Sequence, residues 1–180
     1  MPRAARIAVA ALSLSAAGLV GLVASEGYTD RAVIPVRGDR PTIGFGTTYR
    51  DDGTPVQPGD RTEPVAALRR AVAHLEGDQA ALRRCMDGAT MTQGEWDVLV
   101  DHAYQFGVSA TCGSTVARLT RAGKHAQACE GYLAWRFVAG RDCKDPASGC
   151  RGVWTRAQER RQRCLQAAPM TSSPPSTHGA

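Results

Sequence analysis

Glu26-Gly27-Tyr28 and, beyond a 10-residue interval, Asp39-Arg40-Pro41-Thr42-Ile43-Gly44-Phe45-Gly46-Thr47-Thr48 form the stretch on which the reading of this chain turns. Glu26 is the only acidic residue among the first 29, and it stands two residues after the uncharged run Ile7 to Ala24. The β-branched pair Thr42-Ile43, set between Gly38 and Gly44, reads as a short strand. Gly44 and Gly46 are expected to let that strand approach a ligand closely.

Working towards the N-terminus, Arg3 and Arg6 precede 18 uncharged residues, of which ten are Ala, Gly or Ser. Basic flank and apolar run together are export machinery, and they predict a cytoplasmic N-terminus with the remainder facing outward. As one helix the run reaches about 27 Å, slightly short of a hydrocarbon core of roughly 30 Å. A cleaved signal, a permanent anchor and an anchor able to leave the membrane all stay open. Cleavage after Ala24 would leave Glu26 at a frayed terminus, a poor place to hold a reactive group, and Leu22 mismatches the small residue a signal peptidase prefers.

Towards the C-terminus, residues 32 to 60 are rich in Gly, Pro, Asp and β-branched residues. They predict a small antiparallel sheet with strands near Ala32 to Val36, Thr42 to Phe45 and Val56. From Thr62 to Met86 the apolar period becomes helical, with Thr62 as the expected N-cap and Pro64 in the first turn. Thr92-x-x-Glu95 is a capping-box pattern opening a second helix that Gly107 ends. Shorter helices are expected at Ser114 to Ala122, Ala126 to Phe137 and Thr155 to Gln166. Pro169 to Ala180 is a Ser/Pro/Thr tail with nothing to bury. The expected organisation is α+β. A hydrophobic segment spans 1–24, one domain spans 25–168 with a small N-terminal antiparallel β lobe and a larger helical lobe, and the tail spans 169–180.

Cys85, Cys112, Cys129, Cys143, Cys150 and Cys164 make an even set without Cys-x-x-Cys, which points to disulfides and an oxidising compartment. Cys143 and Cys150 bracket the turn-rich Lys144 to Gly149, so their bridge is the first expected; spacing leaves the rest open. The net charge of +5 suits a polyanionic partner such as a bacterial wall. The basic pairs are interspersed with Asp and Glu and no nucleic-acid-binding signature is present, so nucleic acid is not expected as a partner. His74, His102, His125 and His178 lack metal-ligand spacing, and neither a metal nor another cofactor is expected.

The run from Glu26-Gly27 through Gly38-Asp39 to Thr42-Ile43-Gly44-Phe45-Gly46-Thr47-Thr48 resembles the signature of the phage-type lysozymes, a glycoside hydrolase family of muramidases. Gln93-x-Glu95-Trp96-Asp97 with Tyr104-Gln105-Phe106-Gly107 is similar to that family's central helix, and Leu133-x-Trp135 and Thr155-Arg156-x-x-x-Arg160 resemble its closing segments. The resemblance covers residues 26 to 166 and implies a lysozyme-like fold. It also implies hydrolysis of the β-1,4 bond between N-acetylmuramic acid and N-acetylglucosamine in peptidoglycan glycan strands. The apolar segment abutting Glu26 is similar to that of signal-anchor-release endolysins. That likeness implies delivery by the host secretion machinery, an inner-membrane tether through residues 7–24, a periplasmic destination, coupling to a holin, and action as a monomer.

Glycoside hydrolysis needs one protonated carboxyl to donate to the leaving oxygen and a second group to hold water or stabilise oxocarbenium charge. Glu26 is the candidate acid, and its pKa would have to be raised by a partly apolar cleft. The family pattern puts a carboxylate or cysteine nine residues on, where this chain has Pro35. Asp39 is therefore the candidate for the second role, with Asp30, four residues after Glu26 on one helical face, as the alternative. By resemblance Thr42 positions the attacking water, Gln105 contacts saccharide and Arg156 orients the acid. Trp96, Trp135 and Trp154 could stack on sugars or pack in the core. Two other readings stay open: a secreted wall-remodelling or toxin muramidase with a cleaved signal, and a non-catalytic peptidoglycan-binding protein.

Overall fold

In the computed structural model, residues 5–35 and 39–168 are described. The tail predicted at 169–180 and the end of the first predicted strand at Val36 lie outside the described residues. The architecture is α+β: three two-stranded antiparallel sheets and seven α-helices among the described residues.

The uncharged run does not form one long helix. It divides into β1 (Ile7–Ala8), a 3-10 turn at Val9–Ala11 and helix α1 (Ala16–Glu26). At the break Ser15 N-caps α1 by accepting from Gly18 N–H. Its own N–H and hydroxyl both donate to Asp97 in the body of the protein. No described helix is long and apolar enough to cross a membrane.

This segment is received by polar groups at nearly every step. Ile7 pairs in register with Met91 of β4 (Thr90–Met91), and Val9 N–H donates to Ala89 O. Arg83 donates twice to Leu12 O, Gln93 donates to Ser13 O, and Leu14 N–H donates to Gln79 Oε1. Val9, Leu12 and Leu22 are buried in the same core as Leu75, Met86, Trp96 and Leu99. Burying three such side chains contributes roughly 5–8 kcal/mol, comparable to the net stability of a whole domain.

The β lobe pairs β2 (Thr29–Val33) with β3 (Thr42–Gly44), and the chain around Val56 joins through Val56 N–H to Thr48 O. The expected third strand is thus a short bridge between Tyr49 and Pro55. Gly44 is buried with φ 66°, and a Cβ there would meet Ala67 at 2.7 Å, so it packs tightly against α2 (Pro64–Cys85). Thr62 is not the cap of α2. Glu63 occupies that place, and the Thr62 hydroxyl instead accepts from Arg70, eight residues further along.

Helix α3 (Gln93–Phe106) carries the predicted capping box, with both reciprocal bonds between Thr92 and Glu95 present, and Gly107 ends it at φ 85°. It is the axis of the helical lobe, buried on all sides through Trp96 to Ala103. After α4 (Val108–Cys112), α5 (Thr115–Arg121) starts at its Ser114 cap. The helix expected to run to Phe137 stops early, as α6 (His125–Glu130) and a 3-10 turn at Gly131–Ala134. Gly131 lies so close to Val116 that a Cβ would approach its Cγ2 to 2.9 Å, and the chain turns there into the hairpin β5 (Phe137–Val138) and β6 (Arg141–Asp142). Helix α7 (Arg151–Ala167) starts one turn before its expected place, directly after the Cys143–Cys150 disulfide. The other bridges are Cys85–Cys112 and Cys129–Cys164.

Candidate active site

Glu26 is the last residue of α1, and Gly27 follows at φ 74°, a conformation that swings the chain directly into β2. The acid is therefore carried at the end of a helix, on a packed element. Because the helix stops at Glu26, Asp30 lies on strand β2 and the expected helical-face relation between the two does not exist. Asp30 is exposed, and its carboxylate lies 3.8 Å from the exposed Arg31.

Burial is the largest influence on Glu26 and raises its pKa above the ordinary carboxylate range. Arg156 opposes this, Asp101 adds to it and Arg160 opposes it. These charges come from two helices: Asp101 from α3, Arg156 and Arg160 from one face of α7, four residues apart. Arg156 Nε is buried and has no acceptor among the described residues.

Gly46, at the tip of the turn after β3, faces the acid: a Cβ at this position would stand 3.6 Å from Glu26 Oε2. The same glycine borders a cavity of about 370 Å³ lined also by Thr48, Tyr49, Arg70, His74 and Tyr104. Of the two strand glycines, Gly46 is the one that borders this cavity. Thr42 is half-buried on β3, its hydroxyl 3.4 Å from Val33 O. Asp39 is exposed beside the undescribed residues 36–38 and takes no ion pair among the described residues.

Gln105 is held from behind. Arg160, itself buried, donates from Nη1 to Gln105 Oε1 at 2.6 Å and from Nε to Asp101 Oδ2 at 2.9 Å. This bond orients the Gln105 amide, leaving its two N–H donors free of Arg160. Trp96 is fully buried, and Trp135 packs edge-on against His102 at 4.5 Å, so both belong to packing. Trp154 lies beneath the Lys144 ammonium at 5.8 Å.

Three residues take places at the site that the sequence reading does not assign to them: Tyr104, Asp101 and Arg160. Tyr104 was visible only as part of a motif, yet its hydroxyl donates to Phe45 O at 2.7 Å across the cleft. Asp101 and Arg160 form a buried pair behind Gln105. The spacing of Arg156 and Arg160 was the signal that could have found them, since it places both on one helical face.

This arrangement of a half-buried carboxyl, a cationic helix face and a glycine-edged cleft can be compared with known proteins. A family model described as phage lysozyme matches residues 23–159. The endolysin of Salmonella phage P22 is 29% identical over 134 residues, 73% of this chain and 88% of that one. The structure of an endolysin from Escherichia coli O157:H7 phage FAHEc1 superposes with a TM-score of 0.74 at 27% identity, covering 89% of this chain and 98% of that one. The active form of P1 phage endolysin Lyz, at 17% identity and a TM-score of 0.68 over 87% of each chain, shares the fold. With a match across most of its length, this chain belongs to the phage lysozyme family.

Proposed function

We propose that this protein is an endolysin that hydrolyses the β-1,4 bond between N-acetylmuramic acid and N-acetylglucosamine in bacterial peptidoglycan, lysing the host cell. The observation that carries the reading is the burial of Glu26, which favours its protonated form, at the edge of a cleft. A carboxyl that keeps its proton can donate it to the glycosidic oxygen as the C1–O bond breaks. Asp39 is assigned as base, taking a proton from water that attacks the opposite face, and Thr42 as the residue that holds this water. Inversion by such a pair needs carboxyls roughly 6.5–9.5 Å apart. Gln105, donating from its amide, is assigned to a saccharide oxygen, and Arg156 to orienting Glu26.

Delivery is assigned to residues 1–24, through the host secretion machinery to the periplasm, initially tethered to the inner membrane and coupled to a holin, with the protein acting as a monomer. The catalytic domain is assigned to 25–168. Retention of the segment is favoured over cleavage after Ala24, because cleavage would strip Val9, Leu12 and Leu22 from the core and remove the pairing partner of β4.

The test is clearing of outer-membrane-permeabilised Gram-negative cells by the full chain beside its Glu26→Gln variant, with mass spectrometry of the products. Clearing by the first alone, with muramic acid at the new reducing ends, is expected. Equal clearing by both would remove Glu26 as the acid, and clearing by neither folded protein would favour a binding role.

A further inference from the structure

Tyr104 sits in the last turn of α3 with its ring in the cleft wall. Its O–H donates to Phe45 O at 2.7 Å. Phe45 begins a turn that Ile43 and Thr47 close with two mutual backbone bonds, at 2.9 and 3.0 Å, so the turn is braced across its base. Gly46 is its tip and faces Glu26 Oε2. A continuous link therefore runs from α3 through the strand turn to the carboxyl at the end of α1.

We propose that Tyr104 is a positioning residue for the reaction: by holding the Phe45 carbonyl, it keeps the Gly46 wall against the Glu26 carboxyl, so that the carboxyl stays shielded from water and aimed into the cleft. This rests on the assignment of Glu26 as the acid. The phenol is suited to the task. Its own burial, and then the carboxylates of Glu26 and Asp78, push its pKa up to about 12, so it remains a donor throughout the range in which the acid would titrate. The ring is also fixed from its far side, where His74 of α2 meets it edge-on at 5.6 Å and is itself 3.4 Å from Asp78.

The experiment compares wild type with Tyr104→Phe on soluble peptidoglycan fragments, measuring kcat and KM from about pH 4 to pH 9. Loss of the hydroxyl frees the turn, and kcat is expected to fall about 10- to 100-fold with KM changed less than about threefold. Water reaching Glu26 would remove part of the burial that raises its pKa, so the alkaline limb of the kcat/KM profile should move to lower pH. Arg156 and Arg160 from α7 and Asp101 from α3 face Glu26, and His74 and Asp78 from α2 face Tyr104. The substitution alters none of these five side chains.

A purely structural hydrogen bond would not move that limb. Thr120→Val supplies the comparison, since it removes a bond of the same kind, Thr120 Oγ1 to Val116 O at 2.9 Å, inside α5. This variant should keep the wild-type profile. Replacing Tyr104 with 4-aminophenylalanine, which retains a donor at the ring's para position, should restore both kcat and the limb. Wild-type kcat and limb in Tyr104→Phe would overturn the proposal, as would a loss that 4-aminophenylalanine does not recover. A fully active Glu26→Gln would instead overturn the acid assignment, and the role of Tyr104 with it.

Discussion

Arg6 and Glu95, 89 residues apart, form a two-point ion pair, with Nη2 to Oε1 at 2.8 Å and Nε to Oε2 at 3.1 Å. Glu95 is 2% exposed, caps α3 by accepting from Thr92 N–H, and has His125 Nδ1 3.5 Å away. The basic flank of the apolar segment is thus the main counter-charge of a buried carboxylate in the enzyme body. Removing it strands that carboxylate, which should cost roughly 3 kcal/mol. For a chain of this size, Arg6→Ala should lower the melting temperature by about 6–12 °C in calorimetry, and Arg6→Lys by less. An unchanged melting temperature would show that the pair adds nothing to stability.

Glu26→Gln should separate activity from stability. Loss of general-acid catalysis should reduce turnover by at least about a hundredfold. The folded pKa of Glu26 is raised, so the folded state holds this proton more tightly than the unfolded chain does. Its contribution to stability is therefore full in acid and is lost as pH rises through the folded pKa. The amide has no such loss, so the variant should melt higher than wild type at neutral pH and alike in acid. A variant that melts lower at neutral pH would show that the carboxylate makes stabilising contacts when ionised.

Arg156→Met should move the pH profile in the direction opposite to Tyr104→Phe. The guanidinium favours the ionised form of Glu26. Without it the carboxyl keeps its proton to higher pH, so the alkaline limb of kcat/KM should shift upward while turnover falls about tenfold from misorientation. A fall in turnover with a stationary limb would place Arg156 in packing alone.

His102 predicts acid sensitivity in the helical lobe. It is fully buried among Phe106, Tyr132 and Trp135, with Nδ1 2.9 Å from Thr111 Oγ1, and burial followed by the charge of Arg160 lowers its pKa to about 3. A depressed imidazole pKa gives stability that is present above the ordinary histidine range and is lost as pH falls towards the folded value. The loss should reach a few kcal/mol, on the order expected for a fully buried histidine. Denaturant titrations of wild type and His102→Gln at neutral and acid pH check it. The variant should lose less on acidification, and equal losses would assign the acid sensitivity elsewhere.

What the sequence by itself determined is the local part of this protein. The Thr92–Glu95 capping box, the end of α3 at Gly107 and the Cys143–Cys150 loop each depend on residues within a few positions, and each formed as the pattern required. The motif around Glu26 led to the right family for the same reason, because a strand, a tight turn and an acid at fixed spacing leave a compact local record. The packing of Ile7 to Ala24 within the fold rests mainly on tertiary contacts. The segment's composition suits a membrane or a core equally, and Asp97, Gln79 and Arg83, which receive it, and Glu95, which receives the flanking Arg6, lie 65 or more residues away. The same holds for Gly44 against Ala67, Arg160 behind Gln105 and Tyr104 across the cleft. Period and capping follow from the chain's immediate neighbours, whereas buried charge pairs and cross-cleft bonds exist only once the backbone has brought distant segments together.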